Sequence, residues 1–441
     1  MTGLDAGTRP LGRAARVPLL APLANRDYRF VWLGESISLL GDQFNTVALA
    51  WLVLGLTGSG FALGAILIAA AIPRGVFLLV GGVLSDRISP RDLALASNVL
   101  RAVLTTIVAA LVIGERVELW HLAAVGVVFG TVDAVFLPAI NTLVPRLVPS
   151  ERLAAANAML QGTGQLVGTI GPAVAGFSVA LVGVGAAFAV DAASFAVAAL
   201  MLWFVRSGAT AGRASNDGAP PKAAPDPEAP PHAQSIRASL VEGGQVVLGD
   251  PVMRSIVVLS TAANLAFTGA TVVGLPWLVL VRFGADAAAL GLVFAAFGAG
   301  SLVGVIAAGS LPHPRQFGAI VLAFVLIMGI GLAAIGLAPS LAVAGFILFG
   351  IGAMNGWVNI VVIAWVQGKT DPVMLGRTMS FLMLGSVVAA PLSIALAALA
   401  VDTAASAMFI AAGALVVVSG LIAIASGLPR RMSDAGATMP R

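Results

Sequence analysis

Twelve stretches of about twenty predominantly apolar residues follow one another along this chain. They begin near Tyr28, Ser59, Leu93, Leu119, Ala155, Gly185, Met253, Ala287, Phe317, Leu341, Leu375 and Ala405. An α-helix rising about 1.5 Å per residue needs a run of that length to cross the hydrocarbon of a bilayer. Helices are expected because each satisfies its backbone hydrogen bonds within its own segment, whereas strands would need a closed barrel. Only 10% of the residues are charged and 59% are hydrophobic, where a soluble domain carries about 25% charged residues. The mean hydropathy of +1.01 agrees, so the solvent for most of the chain is lipid.

An even number of spans returns both ends of the chain to one side. Placing Met1 to Arg29 in the cytoplasm puts every Lys and Arg there except Arg116 and Arg282 outside and Arg74 and Arg101 within helices. The positive-inside rule therefore fixes the expected topology as a multi-pass plasma or inner membrane protein with cytoplasmic termini. The pI near 10.5 follows from those inward arginines and does not call for nucleic acid as a partner. Zero cysteines exclude disulfides and thiolate metal sites. No short apolar core with a cleavage site precedes Tyr28, so no cleavable signal is expected.

Between Ser207 and His232 hydropathy collapses into Ala, Gly, Pro, Ser and Asp, which is expected to be a linker. Ser235 to Leu248 follows as a short interfacial helix with Ile236, Leu240, Val247 and Leu248 as its apolar positions. The expected organisation is a cytoplasmic tail (1–27), a six-helix bundle (28–206), a cytoplasmic linker with its short helix (207–252), a second six-helix bundle (253–427) and a cytoplasmic tail (428–441). A weak repeat relates the two halves. Leu63-Gly64 recurs as Leu290-Gly291, Gly82 as Gly309, Leu84 as Leu311 and, at a slightly shorter spacing, Phe129-Gly130 as Phe349-Gly350.

Gly82-Val83-Leu84-Ser85-Asp86-Arg87 with Arg91 forms a tight charged turn between the second and third spans. In the fifth span Gly162 is followed by Gly171-Pro172-Ala173-Val174-Ala175-Gly176. Together with the two six-span halves, these motifs resemble the major facilitator superfamily. The first looks like its loop motif, with Ser89 and Pro90 as departures, and the second like its fifth-helix antiporter motif, with Ala175 replacing a glycine. Gly41-Asp42-Gln43 and Pro149-Ser150-Glu151-Arg152-Leu153 followed by Ala156-Asn157-Ala158 look most like the macrolide-efflux and enterobactin-exporter branch. The resemblance implies an all-α membrane protein with the twelve-helix facilitator fold, two bundles related by pseudo-two-fold symmetry, working as a monomer. One family element is missing: the fourth span has no arginine and carries Asp133 instead.

The ionisable residues inside the spans are Glu35, Asp42, Arg74, Arg101, Asp133 and Asp191, all in the first half. A charge near mid-bilayer costs on the order of 3 kcal/mol or more, so each is a candidate for function. Glu35, Arg74, Arg101 and Asp133 are expected in one layer roughly 9 to 12 Å from the cytoplasmic edge. Two readings stand for that layer, a neutralising structural network and a proton relay. The resemblance places the third and sixth helices outside the cavity, which favours structural roles for Arg101 and Asp191, the latter near the outer surface. Asp42 is expected deeper, at a level without an arginine, and is the first proton-coupling candidate. Glu35, Ser38, Asp42 and Asn45 step by three and four, hence share one helical face.

Asn45, Gln161, Gln165, Asn264, Asn355 and Asn359 are candidate cavity hydrogen-bonders, with Phe267, Trp277 and Met354 as apolar contacts. Asp86, Arg87 and Arg91, with Arg377 on the second half, are candidates for a latch across the cytoplasmic gate. Pro172 and Pro391 are candidate hinge positions. No metal or cofactor is expected, and neither a nucleophile–base arrangement nor a phosphate-binding loop supports an enzyme. The expected function is a proton-coupled exporter of amphipathic small molecules such as drugs, macrolides, siderophores or natural products. An importer or lipid flippase on the same scaffold and a non-transporting receptor are the alternatives. Small-molecule substrate, protons and membrane lipid are the expected partners.

Overall fold

The computed structural model describes residues 19–206, 244–245, 247–310, 317–370 and 375–427. Twelve helices are present among the described residues, with no strand. The first half comprises α1 (Arg26–Thr57), α2 (Gly60–Arg87), α3 (Pro90–Ile113), α4 (Leu119–Leu147), α5 (Ser150–Val182) and α6 (Val184–Trp203). The second comprises α7 (Pro251–Arg282), α8 (Ala287–Ser310), α9 (Phe317–Gly336), α10 (Leu341–Lys369), α11 (375–403) and α12 (405–425). The break between α11 and α12 is at Ala404, whose φ of −149° and ψ of 48° leave the helical region. Past that point the chain reverses: Gly336 packs on Ser406 and Phe409, Gly329 on Gly413, and Gly420 on Val325, so α12 runs antiparallel to α9. Both tails, residues 1–18 and 428–441, and most of the expected linker and its helix lie outside the described residues.

The ends of the helices are set by local chemistry. Asn25 caps α1 by accepting hydrogen bonds from the Asp27 and Tyr28 amides at 2.9 and 3.1 Å, and Gly58 ends it at a φ of +64°, where glycine alone is unstrained. Asp250 caps α7 through the Val252 and Met253 amides and meets Lys369 at the end of α10 at 2.6 Å. Burial alone would raise its pKa, but the bonds from Lys369, Met253 and Val252 outweigh that and hold the carboxyl below its usual range. Asp250→Ala is expected to cost about 1 kcal/mol, read as a lower unfolding midpoint. Because the folded pKa is depressed, the difference between the two proteins should be full near neutral pH and fade as pH falls through the carboxylate range.

The two halves repeat one packing scheme. In the first, α1 packs on α5 and α6, α2 on α4, and α3 on α4 and α6. In the second, α7 packs on the α11–α12 unit, α8 on α10, and α9 on α10 and α12. Between the halves α5 meets α8 and α2 meets α11, again a symmetric pair. The recurring Leu-Gly dipeptide marks these two seams. A Cβ on Gly64 would lie 2.3 Å from the Ala398 methyl, and one on Gly291 would lie 2.3 Å from the Pro172 carbonyl oxygen. Phe349-Gly350 does not match its first-half partner in packing: Gly130 is pressed on the Ala70 backbone, whereas Gly350 faces open space and Gly352 and Gly356 make the corresponding contacts on α8.

Helix ends alternate between two faces of the molecule. The proximal face carries the start of α1, the α2–α3 and α4–α5 turns, the start of α7 and the end of α10, and the distal face carries the remaining turns. Eleven helical stretches are long and apolar enough to cross a membrane by length and composition. The last of them, Val388–Ala425, spans the reversal at Ala404 and so covers both α11 and α12.

Candidate functional site

The charged residues of the first half converge around Asp133 on α4. Its carboxylate meets Arg74 Nε of α2 at 3.0 Å and accepts a hydrogen bond from the Arg101 guanidinium of α3. Arg101 is the most sequestered of the group, 2% exposed, and lies over the rings of Phe136, Phe129 and Phe195 at 4.2, 5.5 and 5.5 Å. Three aromatic faces suit a planar, weakly hydrated cation. Arg74 is different, with 58% of its side chain open to a chamber of about 430 Å³ whose walls also include Asp42, Asn45 and Asp133. Two arginines against one aspartate leave a local excess of positive charge. Glu35 and Asp42 of α1 lie within electrostatic range of Arg101 and Asp133.

Two expectations change here. Asp42 is not isolated from arginine, since it shares a chamber wall with Arg74. Asp191, in the distal part of α6, is not apart from the polar stripe of α1. It is fully buried, its Oδ2 accepts a hydrogen bond from Asn45 Nδ2 at 2.8 Å, and its Oδ1 has no hydrogen-bond partner. The reason is that α6 packs along α1, so a residue on the inward face of α6 meets the polar stripe of α1. Gly41 permits that approach, for a Cβ there would lie 1.9 Å from Ser194 Oγ and 2.7 Å from Asp191 Oδ1. Asn45 therefore joins the chamber to a carboxylate that sequence reasoning set aside.

A second chamber, about 360 Å³, lies within the other half, where Asn264, Asn355 and Asn359 come together with Ser260, Phe267, Phe297, Phe324 and Met328. Gln161 and Gln165 line neither chamber, and Trp277 and Met354 line neither as well. The second-half chamber draws on helix segments toward the proximal face, as with Ile256 near the start of α7 and Val366 near the end of α10, whereas the first-half chamber draws on segments toward the distal face, as with Leu122 near the start of α4 and Phe188 near the start of α6.

The helix-five motif is divided between two neighbours. Gly171 is pressed on Gln43 of α1, Gly176 on Ala287 and Gly291 of α8, and Gly162 faces open space. Pro172 lies between the first two, and its carbonyl is what Gly291 approaches. Next to this seam Thr169 Oγ1 donates to the Gly298 carbonyl at 3.1 Å. Arg91 does not reach across the halves. It donates to the Leu202 and Trp203 carbonyls at 3.1 and 2.7 Å, capping α6 of its own bundle, and lies over the Trp203 ring. Gly82, Asp86 and Arg87 fall in the last part of α2 and Arg377 in the first turn of α11, with side chains outside the described residues.

The distal face holds a contact that sequence reasoning missed. Asp402, at the end of α11, accepts hydrogen bonds from Ser59 Oγ at 2.6 Å, the Gly60 amide at 2.6 Å and the Phe61 amide at 3.1 Å, so a carboxylate of the second half caps α2 of the first. The Trp277 indole bonds the same carboxylate, and Val401 is pressed on Gly60. The signal was an acidic residue one turn from a span end, together with a Ser-Gly pair opening the second span. Among the described residues no group of three or more metal-ligating side chains is arranged to hold a metal ion.

The chain thus has two bundles joined along symmetric seams, sealed at one face, with a chamber in each bundle. Residues 31–383 match the sequence profile of the Major Facilitator Superfamily. The chain is 22% identical over 375 residues to macrolide efflux protein A of Streptococcus pyogenes, covering 83% of this chain and 86% of that protein. It is 24% identical over 369 residues to the multidrug efflux pump Tap of Mycolicibacterium fortuitum, with coverage of 80% and 86%. The fold is similar to that of the nucleoside transporter NupG, with a TM-score of 0.66 at 14% identity over 90% of this chain and 98% of that one. A profile match over most of the chain and the repeated packing of its twelve helices agree: this integral membrane protein belongs to the major facilitator superfamily of transporters.

Proposed function

We propose that this transporter exports amphipathic small molecules in exchange for protons, by alternating exposure of its chambers to the two sides of a plasma or inner membrane. The observation that carries the reading is Asp42 on the wall of the first-half chamber, beside an Asp133 already engaged by Arg74 and Arg101. An acid facing a water-accessible cavity can load and release a proton, whereas one locked between two guanidiniums cannot do so without breaking the network. Asp133 and the arginines position charge around Asp42, and Asp42 carries the proton. The efflux relatives, a macrolide efflux protein and a multidrug efflux pump, support the direction and suit a substrate that is apolar enough to reach the chamber from the membrane.

The positive-inside rule makes the proximal face cytoplasmic. The captured state is then inward-facing, with the distal side sealed by the Asp402 cap and the glycine seams of α2–α11 and α5–α8. For the bundles to open toward the other side, the α5–α8 and α2–α11 contacts must pivot, and Gly171-Pro172 on α5 sits where that pivot is needed.

Cells expressing the protein should accumulate less of some members of a panel of fluorescent amphiphiles, macrolides and siderophores. Both a proton uncoupler and Asp42→Asn should erase the difference. If Asp42→Asn exports normally while the uncoupler still blocks, coupling belongs to the Glu35, Arg74, Arg101 and Asp133 layer. Higher accumulation in expressing cells would reverse the direction, and no movement of any compound would reject export.

A further inference from the structure

The second-half chamber has a property that the first lacks: no ionisable side chain lines it among the described residues. Its polar groups are Ser260 and the carboxamides of Asn264, Asn355 and Asn359. Asn355 and Asn359 are one helical turn apart on α10 and face the chamber from the same side. Neither makes a hydrogen bond to another described residue, so each presents a donor and an acceptor that a ligand or water must satisfy. The remaining described wall is apolar and includes Phe324 and Met328 of α9. A charged group entering this wall would find no counter-ion and would carry its full desolvation cost.

Phe267 and Phe297 line this chamber and also a third one, of about 210 Å³, that lies between the bundles and is bounded by Gln43 and Thr46 of α1, Pro172 of α5 and Thr271 of α7. Their ring centroids are 5.2 Å apart with the planes tilted by 37°. Both rings belong to both walls, which puts the pair where the two chambers adjoin.

We propose that the second-half chamber recognises the uncharged, hydrogen-bonding body of the substrate, a molecule with amide or hydroxyl groups on an aromatic or aliphatic frame, and that the Phe267–Phe297 pair closes this site from the inter-bundle chamber. The assignment rests on the transport reading above and gives it a substrate class. The three carboxamides select hydrogen-bonding groups without selecting charge, and the two rings set how large a body can pass between chambers in the resting state. Charge sensing is left to the first half, where every ionisable residue of the membrane core stands.

The absence of native cysteine allows one reporter on each side of the ring pair, Ser260→Cys within the site and Thr271→Cys beyond the rings. The full-length protein in lipid nanodiscs is alkylated with N-ethylmaleimide, with and without chloramphenicol, which is uncharged and carries an amide and hydroxyls. Tetraphenylphosphonium, a cation without hydrogen-bonding groups, is the contrasting probe. Chloramphenicol is expected to slow labelling of Ser260→Cys about tenfold and to leave Thr271→Cys unchanged, while tetraphenylphosphonium protects neither. Adding Asn355→Leu and Asn359→Leu should abolish the protection, and adding Phe297→Ala should extend it to Thr271→Cys. Equal protection by both probes, no protection by chloramphenicol, or protection that survives loss of the asparagines overturns the assignment. Cellular export by the same variants is scored separately. Export without protection rejects this site and leaves the transport reading standing, whereas protection without export does the reverse.

Discussion

Asp133→Ala is expected to destabilise the protein severely, by about 3–5 kcal/mol, because it strands a buried guanidinium. Arg101 is 2% exposed, enclosed by Phe129, Phe136 and Phe195, and Asp133 is the acid that bonds it. Arg74 bonds the same carboxylate but keeps 58% of its side chain open, so water compensates much of its loss. The expected order of damage is therefore Asp133→Ala first and Arg74→Gln far behind. The double variant Asp133→Ala with Arg101→Met should recover most of the lost stability, since a flexible apolar chain can fill the aromatic cage once neither charge remains. Thermal unfolding of the purified variants, followed by their monodisperse fraction, reads all three. Equal losses for Arg74→Gln and Asp133→Ala, or no recovery in the double variant, would show that the network is not held together as the geometry implies. Transport by the recovered double variant then separates the two readings of this charged layer: a stable but inactive protein assigns it to the transport cycle, and an active one to structure alone.

The sequence carried the membrane class, the helix count and the internal repeat, because each of these is written in local pattern, whereas the place of the repeated Leu-Gly pair at the seams came only from the fold. Apolar runs of bilayer length mark the spans, and Leu63-Gly64 recurring as Leu290-Gly291 marks the repeat. It also brought Glu35, Arg74, Arg101 and Asp133 into one layer by counting residues from the helix ends, with Asp42 set deeper, and Asp133 does pair with Arg74 and Arg101. What it did not carry is which neighbour a helix face meets. Helical periodicity places Asp191 on a face of α6 but says nothing of α1 lying against it, so the Asn45–Asp191 bond was out of reach. Arg91 reads as part of a local charged turn, yet its partners are carbonyls more than a hundred residues away. Gln161 and Gln165 repeat at a cavity-like spacing on α5 and still line neither main chamber, while Thr169, one turn further along the same face, bonds the Gly298 carbonyl of the other half. Asp402 is the largest omission: its partners Ser59, Gly60 and Phe61 become neighbours only once α11 crosses α2.

That crossing makes Asp402 the strongest single polar tie between the bundles at the distal face. The carboxylate accepts two bonds from the first amides of α2, groups that no intrahelical carbonyl can reach. It also accepts the Ser59 hydroxyl, and its charge sits at the positive end of the helix dipole. Opening the distal side would separate α2 from α11 and break all three bonds together. Removing them should therefore favour the outward-open form, by about 1–2 kcal/mol for a partly exposed carboxylate with amide and hydroxyl donors. That corresponds to roughly a tenfold change in the ratio of the two forms. Spin labels on Val182→Cys and Leu337→Cys, exposed positions at the distal ends of the two halves in a chain without native cysteine, give the separation directly. The parent should show a short distance, Asp402→Ala a new longer population, and Ser59→Ala a smaller shift because it removes one bond of three. Asp402→Asn should fall between, since an amide oxygen still accepts from Gly60 but brings no charge to the helix end. An unchanged distance distribution in Asp402→Ala would mean that the glycine seams hold the distal side shut, through contacts such as Val401 against Gly60, Ala398 against Gly64 and Pro172 against Gly291.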